Sequence, residues 1–433
     1  MASIAWSLER IKNDLTQLLE PRVIRQVCRD NGYRWRERVL GPVQTVHLFI
    51  LQLLAGMSMA GVRHPAQMKF TASALCQAKA RLPLKVLREL LKRVAQSLAG
   101  TSKRSWMGLK VFVADGTGLL LADTPQLRKK FGKPSGQKPG CGLPVVKWVA
   151  LLDVHSGALI KAIPLPLCRQ EMTVVQRLAK CMGKGALLLA DRGFAGFAHV
   201  AVLTGAQIRC CLRLPKQLQV VGRGKGRLKW LKKLGKGDCL VSWQRPVKRV
   251  RWMSRRAWNA LPAQMMLRQV SFRVRRKGYR TRSVVLLTTL LEADRFPRQK
   301  LAELYAARWQ VEVCLRDMKQ TMGLEALRAR TIQGIQKELL AFALAYNLVR
   351  LVMVQAAAAA KVSPDRISFI DALRWVLWSV PGQEPDLLVN AKRGGRCEPR
   401  VVKRIKNDFP RMSTPREELR KTLPARSKRR RLS

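Results

Sequence analysis

The chain has 433 residues, 47% of them hydrophobic, enough to bury a sizeable core and to divide into roughly two to four structural units, which excludes wholesale disorder. Lys and Arg number 83 against 27 acids, a formal net charge of +56. A surface that positive repels itself unless a polyanion neutralises it, and a long nucleic acid is the natural partner. Ten cysteines without a Cys-x-x-Cys pair, and four scattered histidines (His47, His64, His155, His199), exclude a disulfide scaffold and a zinc finger; they read as reduced thiols in a cytosolic protein.

Residues 1 to about 105 read as a helical, basic N-terminal domain fit for DNA binding, with a structural cap as the alternative. Apolar positions recur at helical spacing in Leu15, Leu18, Leu19 and Val23, and again through Val46 to Leu54. A helix starts near Thr71 or Ser73, and another follows Pro83 through Leu87, Leu90 and Leu91. The N-terminus, with acids by position 20, lacks the apolar stretch of a signal peptide. Val46 to Gly61 is too short to span a membrane, and Leu339 to Ala360 carries Asn347 and Arg350 in mid-run, so both read as buried helices and no membrane is expected.

From Leu109 the pattern changes. Leu109 to Ala114 is a short apolar, β-branched run ending at Asp115-Gly116. Val145 to Leu152 and Leu159 to Leu165 are two more, joined by His155-Ser156-Gly157 as a hairpin turn. A helix over Glu171 to Met182 precedes a fourth strand, Ala186 to Ala190, ending at Asp191. This order predicts an α/β protein with a mixed sheet flanked by helices.

Residues 213–282 hold 22 Lys or Arg and one acid, Asp238, with β-like runs at Cys239 to Trp243 and Val270 to Val274, the pattern of a basic β-rich insertion. A strand over Ser283 to Leu291 and a helix from about Pro297 to Met322 follow. Helices resume at Ile335 to Ala360, and Ser363-Pro364 marks another helix start. Residues 392–433 hold 16 basic and four acidic residues, a solvated tail suited to backbone contact. The expected units are therefore 1–105 (helical, DNA-binding), 106–212 (core, first part), 213–282 (insertion), 283–355 (core, second part) and 356–433 (C-terminal helical region and basic tail).

On an ideal helical wheel Tyr305, Arg308, Glu312, Arg316 and Lys319 share an arc of about 80°. Leu304, Val311, Leu315 and Met318 fall on a neighbouring arc that can hold the helix against a sheet. Taken alone, the helix reads as a solvated charged face in which Glu312 pairs with Arg308 or Arg316. Acids are scarce in this chain, however, and Asp115 and Asp191 stand at two strand ends, each followed by a turn glycine in Asp115-Gly116-Thr117 and Asp191-Arg192-Gly193-Phe194.

The spacing Tyr305-x2-Arg308-x3-Glu312-x6-Lys319 resembles, at every position, the Y-R-E-K signature helix of the DDE transposases of bacterial insertion sequences. Asp115-Gly116-Thr117 resembles that family's first acidic motif and Ala190-Asp191-Arg192-Gly193-Phe194 its second. Gln77-Ala78-Lys79-Ala80-Arg81-Leu82-Pro83, Ile367-Ser368-Phe369 and Pro399-Arg400 through Lys403-Arg404 are similar to flanking elements, so the likeness runs from about residue 70 to 420.

The resemblance implies an RNase H-like core interrupted by the insertion, and a DNA transposase that cleaves transposon ends and joins the 3′-hydroxyl to target DNA. The terminal inverted repeats and the target are its double-stranded DNA partners, a homodimer its synaptic state, and the bacterial cytoplasm, in association with the nucleoid, its location. It also implies that Asp115, Asp191 and Glu312 hold two Mg²⁺ ions, with Mn²⁺ as a substitute. The chemistry agrees: two ions about 3.5–4 Å apart stabilise both the attacking and the leaving oxygen of a phosphodiester, and hard oxygen ligands suit Mg²⁺. Three packed carboxylates repel one another by roughly 4 kcal/mol per pair at 4 Å and an intermediate dielectric. Asp115 would bridge both ions and Asp191 and Glu312 would each hold one side. Arg308 and Lys319 would clamp phosphates and Tyr305 would bond one; for Arg316 a plain surface role stands equally open. In hairpin-forming members an aromatic side chain of the insertion stacks on a flipped base, and Trp230, Trp243, Trp252 and Trp258 are the candidates. Two other readings remain: an RNase H-like nuclease without strand transfer, against which the Y-R-E-K spacing argues, and an inactive DNA-binding protein, against which the complete acidic trio argues.

Overall fold

The structure, a computed structural model, describes residues 19–100, 105–135, 138, 140–220, 228–274, 282–378 and five positions between 414 and 421. Among the described residues five helices come first: α1 (Pro21–Asp30), α2 (Pro42–Leu54), α3 (Arg63–Ala66), α4 (Ala72–Arg81) and α5 (Leu84–Gly100). Pro21 and Pro42 stand at helix starts, where a missing N–H costs nothing. Thr71 caps α4, its Oγ1 accepting from the Ala74 N–H at 3.1 Å. Leu15, Leu18, the segment Pro399-Arg400 to Lys403-Arg404 and most of the basic tail lie outside the described residues.

Nine strands then form one sheet: β1 (Val111–Leu120), β2 (Val145–Asp153), β3 (Leu159–Pro166), β4 (Leu187–Ala190), β5 (Arg209–Arg213), β6 (Leu228–Gly235), β7 (Asp238–Gln244), β8 (Gln264–Val274) and β9 (Arg282–Thr288), in the order β3-β2-β1-β4-β5-β9-β8-β7-β6. β1, β4 and β5 run parallel, and all other neighbours are antiparallel. Among the described residues the expected insertion thus builds no sheet of its own. Leu212 pairs with Leu287, and β9, β8, β7 and β6 carry the core sheet onward. The link is pinned by Arg268, wholly buried on β8. Its Nε donates to Asp238 Oδ1 at 2.8 Å, its Nη2 to Asp238 Oδ2, and its Nη1 to the Phe296 carbonyl at 2.8 Å.

Both faces of the central strands are covered, so these strands are apolar on both sides rather than alternating. Val111, Val113, Leu187 and Leu189 join one core with the N-terminal helices and the later helices. Phe112, Ala114, Leu188 and Ala190 join another with the helices α7 (Val175–Ala179) and α8 (Phe197–Gly205), whereas α6 (Pro125–Phe131) belongs to the first core and α9 (Arg255–Asn259) caps the insertion with Trp258. In place of the helix expected over Glu171 to Met182, a 3-10 turn (Glu171–Val174) leads into the short α7.

The Y-R-E-K segment is not one continuous α-helix. It divides into α10 (Arg298–Ala307) and α11 (Trp309–Arg316), with a tight turn at Arg308, and ends in a π-helical turn over Asp317–Thr321. Leu304, Val311, Leu315 and Met318 are buried as the wheel requires. The longest described helix, α12 (Ile332–Ala359), has 28 residues, and its most apolar 18-residue stretch, with a mean hydropathy of 1.7, is apolar enough to cross a membrane, yet 89% of that stretch is buried inside the protein. Its polar residues grip the β2–β3 hairpin: Asn347 exchanges bonds of 2.8 and 3.1 Å with the Leu159 backbone, Tyr346 donates to the Gly157 carbonyl, and Arg350 to the Ser156 carbonyl. Gly157, at φ +69°, has no room for a side chain because the Arg350 guanidinium fills that space. Ser363-Pro364 opens only a 3-10 turn (Pro364–Arg366), and α13 (Phe369–Trp378) follows.

Candidate active site

Register brings the two aspartates together. Ala114 of β1 pairs in parallel with Ala190 of β4, so Asp115 and Asp191 are the next residues along neighbouring chains about 5 Å apart. Asp191 follows the end of β4 as expected. Asp115 does not end its strand: β1 runs on to Leu120, with Asp115 opposite Ala150 and Gly116 opposite Val149 on β2. Gly116 is accordingly no turn residue. Period-2 alternation points Asp115 to the same face as Val113, the face on which α11 packs with Glu312.

Arg308 joins these elements. Its Nη2 donates to Glu312 Oε1 at 2.7 Å and its Nη1 lies 3.7 Å from Asp115 Oδ2, while its guanidinium sits 5.7 Å from the Tyr305 ring centroid. Tyr305 is buried on α10 and its hydroxyl makes a long 3.5 Å contact to Asp191 Oδ1. Burial pushes that hydroxyl well above the ordinary tyrosine range, so it stays protonated and donates. Arg213, at the end of β5, approaches Asp191 at 3.9 Å. Arg308 and Tyr305 therefore link Asp115, Asp191 and Glu312 in one network of contacts. Arg316 instead faces Asp317 at 3.8 Å, and Lys319 lies in the π-helical turn, half-buried, where the ideal wheel no longer holds. Beside Glu312 opens a cavity of about 540 Å³, lined among others by Val113, Asp153, Arg316, Arg350 and Asp365.

The electrostatics are those of an under-compensated anion site. Burial lifts the Asp115 carboxyl to about 6; its own bond from the Gly116 N–H (2.8 Å) and Arg308 pull the value down, and Glu171 and Glu312 push it up. Glu171 is raised as well, by burial first and by Asp191, against the pull of Lys147. That acid, in the turn after β3, was not marked by sequence reasoning. Its one trace there is Gly116: a Cβ on that residue would stand 2.3 Å from Glu171 Oε1. Among the described residues, no three acids, histidines or cysteines gather closely enough to hold one ion between them, and the Arg308 guanidinium stands between Asp115 and Glu312.

The four insertion tryptophans part company. Trp243 and Trp258 are buried, and Trp230 lies 39% exposed on β6, the edge strand farthest from the aspartates. Trp252 is half-buried and stacks on His199 at 5.5 Å; His199 in turn lies against the Phe194 carbonyl at 3.0 Å and the Met172 carbonyl at 2.8 Å, three residues beyond Asp191 and one beyond Glu171 in the chain.

The family model for a transposase DDE domain matches residues 106–348, more than half of the chain. The chain belongs to the DDE transposases of bacterial insertion sequences. It is 29% identical over 363 residues to the transposase InsG for insertion sequence element IS4 of Escherichia coli (strain K12), covering 78% of each protein. It is 27% identical over 141 residues to the putative transposase InsZ of the same organism, covering 32% of this chain and 46% of that one. Among solved structures, a piggyBac transposase synaptic complex with hairpin DNA aligns at a TM-score of 0.43 and 9% identity, over 98% of this chain and 86% of that one. This DDE transposase is thus a DNA transposase, an enzyme of metal-dependent DNA cleavage and strand transfer.

Proposed function

We propose that Asp115, Asp191 and Glu312 are the catalytic acids of this transposase and hold two divalent ions, Mg²⁺ with Mn²⁺ as a substitute. The observation that carries the reading is the Ala114–Ala190 register, which makes the two aspartates neighbours although 76 residues separate them, with Glu312 joined to Asp115 through one guanidinium. The strand order β3-β2-β1-β4-β5, with β2 alone antiparallel to β1 among the central strands, supports an RNase H-like core split by the insertion 213–282. Residues 1–105 act as the DNA-binding head, 106–212 and 283–355 as the two parts of the core, and 356–433 as the C-terminal region.

The donors fit a hard divalent cation: they are oxygens only, and the Asp115 carboxyl is desolvated beside other acids, an arrangement that positive charge relieves. When bound, the ions supply a water nucleophile at neutral pH and offset charge on the attacking and leaving oxygens. The protein's residues do the rest. Arg308 neutralises Asp115 and Glu312 in the free chain, and its guanidinium would offer its fork to a phosphate beside the scissile bond. Tyr305, buried and protonated, orients Asp191 rather than reaching DNA directly. Lys319 and Arg316 flank the strand path as backbone contacts. Excision and joining bring together two ends, each held by one subunit of a homodimer on the nucleoid of the bacterial cytoplasm.

The test is incubation of the chain with its element's own ends, target DNA and Mg²⁺. Asp115→Ala, Asp191→Ala and Glu312→Ala each reduce cleavage and joining to background while gel-shift affinity for the ends stays within about threefold. Retained cleavage in any one variant removes that acid from the mechanism, and cleavage without joining in the parent chain favours the nuclease reading.

A further inference from the structure

Glu171 stands where a side chain has no ordinary reason to be. Its Oε1 and Cδ lie 2.3 and 2.5 Å from the place a Gly116 Cβ would take, and its Oε2 lies 3.7 Å from that of Gly193. Each glycine directly follows, or is two beyond, one of the paired aspartates. In a pleated strand Gly116 points to the face opposite Asp115, the face packed by the α7 and α8 helices. Glu171 rises from that face, and the missing side chain of Gly116 is the opening it enters.

Its charge is only partly answered. Among the described residues Glu171 has no direct hydrogen bond or ion pair through its side chain; Lys147, whose ammonium donates to the Arg169 carbonyl at 3.0 Å, favours the carboxylate from a distance, against burial and Asp191. Asp191 has Arg213, and Asp115 and Glu312 share Arg308. A half-buried carboxylate without a direct partner, set against two glycines that follow other acids, is an arrangement that a cation would relieve.

We propose that Glu171 is a fourth carboxylate of the cation site, delivered from the opposite face of the sheet through the opening left by Gly116. This rests on the reading that Asp115 and Asp191 hold cations, so the experiment carries both. The full-length chain is titrated with Mn²⁺ by calorimetry, and the Mn²⁺-induced rise in Tm is followed in parallel. Glu171→Gln keeps shape and removes charge: Mn²⁺ affinity falls about tenfold or more and the Tm rise shrinks, while the Tm without metal is unchanged or higher. Gly116→Ala, which touches no ligand atom, displaces Glu171 and produces a similar loss; adding Glu171→Ala to it restores the metal-free Tm but not Mn²⁺ affinity.

Asp115→Asn is the control. If it weakens Mn²⁺ binding and Glu171→Gln does not, the proposal falls and the aspartate reading stands. If neither variant changes the isotherm, both fall. A loss at Glu171 without a loss at Asp115 also overturns the proposal, since the cation then sits elsewhere. A Glu171→Gln chain that fails to fold assigns this acid a structural role instead.

Discussion

Two Arg–carboxylate pairs in this transposase have the same chemistry and opposite characters. In the insertion, Arg268 is wholly buried, meets Asp238 through two nitrogens and gives another donor to a carbonyl. At the candidate site, Arg308 is spread over two acids at 2.7 and 3.7 Å, and Glu312 remains 36% exposed. The first pair leaves no donor to be exchanged and locks β7, β8 and the start of α10 together. The second is a loose arrangement that DNA and cations can take apart. A fully satisfied buried pair holds shape; a partly satisfied one at a sheet end stores the capacity to bind.

The largest expected effect breaks that contrast on the structural side. Asp238→Ala leaves a buried guanidinium unpaired and destabilises the chain by about 3–5 kcal/mol. Glu312→Ala removes a partner that water already reaches and costs less than about 1 kcal/mol. Urea unfolding of both variants measures the difference; equal midpoints would erase the distinction drawn here.

Next in size is the pH dependence without metal. The folded-state pKa of Asp115, about 6, lies above its unfolded value of 3.8, so the folded chain binds the extra proton between those values. Its stabilising contribution is present below pH 4 and lost as pH rises through 6, on the order of 2–3 kcal/mol. His199 has the reverse sign. Burial lowers it to about 4, so its contribution is present above pH 6.5 and lost as pH falls through 4. In the same window the two slopes oppose each other. Asp115→Asn removes one of them: its stability rises with pH between 4 and 6.5 more steeply than the parent's, and at pH 8 without metal its Tm exceeds the parent's by a few degrees. Saturating Mn²⁺ at pH 8 raises the parent above the variant. Parallel pH profiles for the two chains would show that Asp115 is not desolvated.

How much of this was legible in the sequence follows from the range of each interaction. Local signals carried far: the Thr71 cap, the hairpin turn at Ser156-Gly157 and the apolar arc of Leu304, Val311, Leu315 and Met318 are set by residues within one or two turns of one another. The strand end placed at Asp115 was wrong because Gly116-Thr117-Gly118 carries no β pattern; only the pairing with Val149 and Trp148 of β2 keeps that stretch extended. The joining of the insertion to the core sheet rests on Leu212 meeting Leu287, a contact no window of sequence contains. Asp115, Asp191 and Glu312 were found through a spacing motif, whereas Glu171 has no motif and shows itself only in the space Gly116 leaves. Asn347 and Arg350, read as reasons against a membrane span, turn out to be the hands with which α12 holds the hairpin.

The smallest expected effect tests whether the insertion reaches the chemistry at all. Of its tryptophans, Trp252 is tied to the aspartate end of the sheet through His199 and the backbones beside Asp191 and Glu171, while Trp230 sits on an edge strand beyond β9, β8 and β7, roughly 20 Å from β5 at the usual strand spacing. A base flipped next to the scissile phosphate would therefore lie nearer Trp252 than Trp230. If transposition proceeds through a hairpin, Trp252→Ala lowers hairpin yield about fivefold, the loss of roughly 1 kcal/mol of stacking, and leaves the first nick intact. Trp230→Ala leaves the yield unchanged and, among Lys229, Lys232 and Lys233, weakens end binding at raised salt instead. A hairpin defect in Trp230→Ala with none in Trp252→Ala would mean that the far edge of the sheet, rather than the His199 contact, faces the cleaved end.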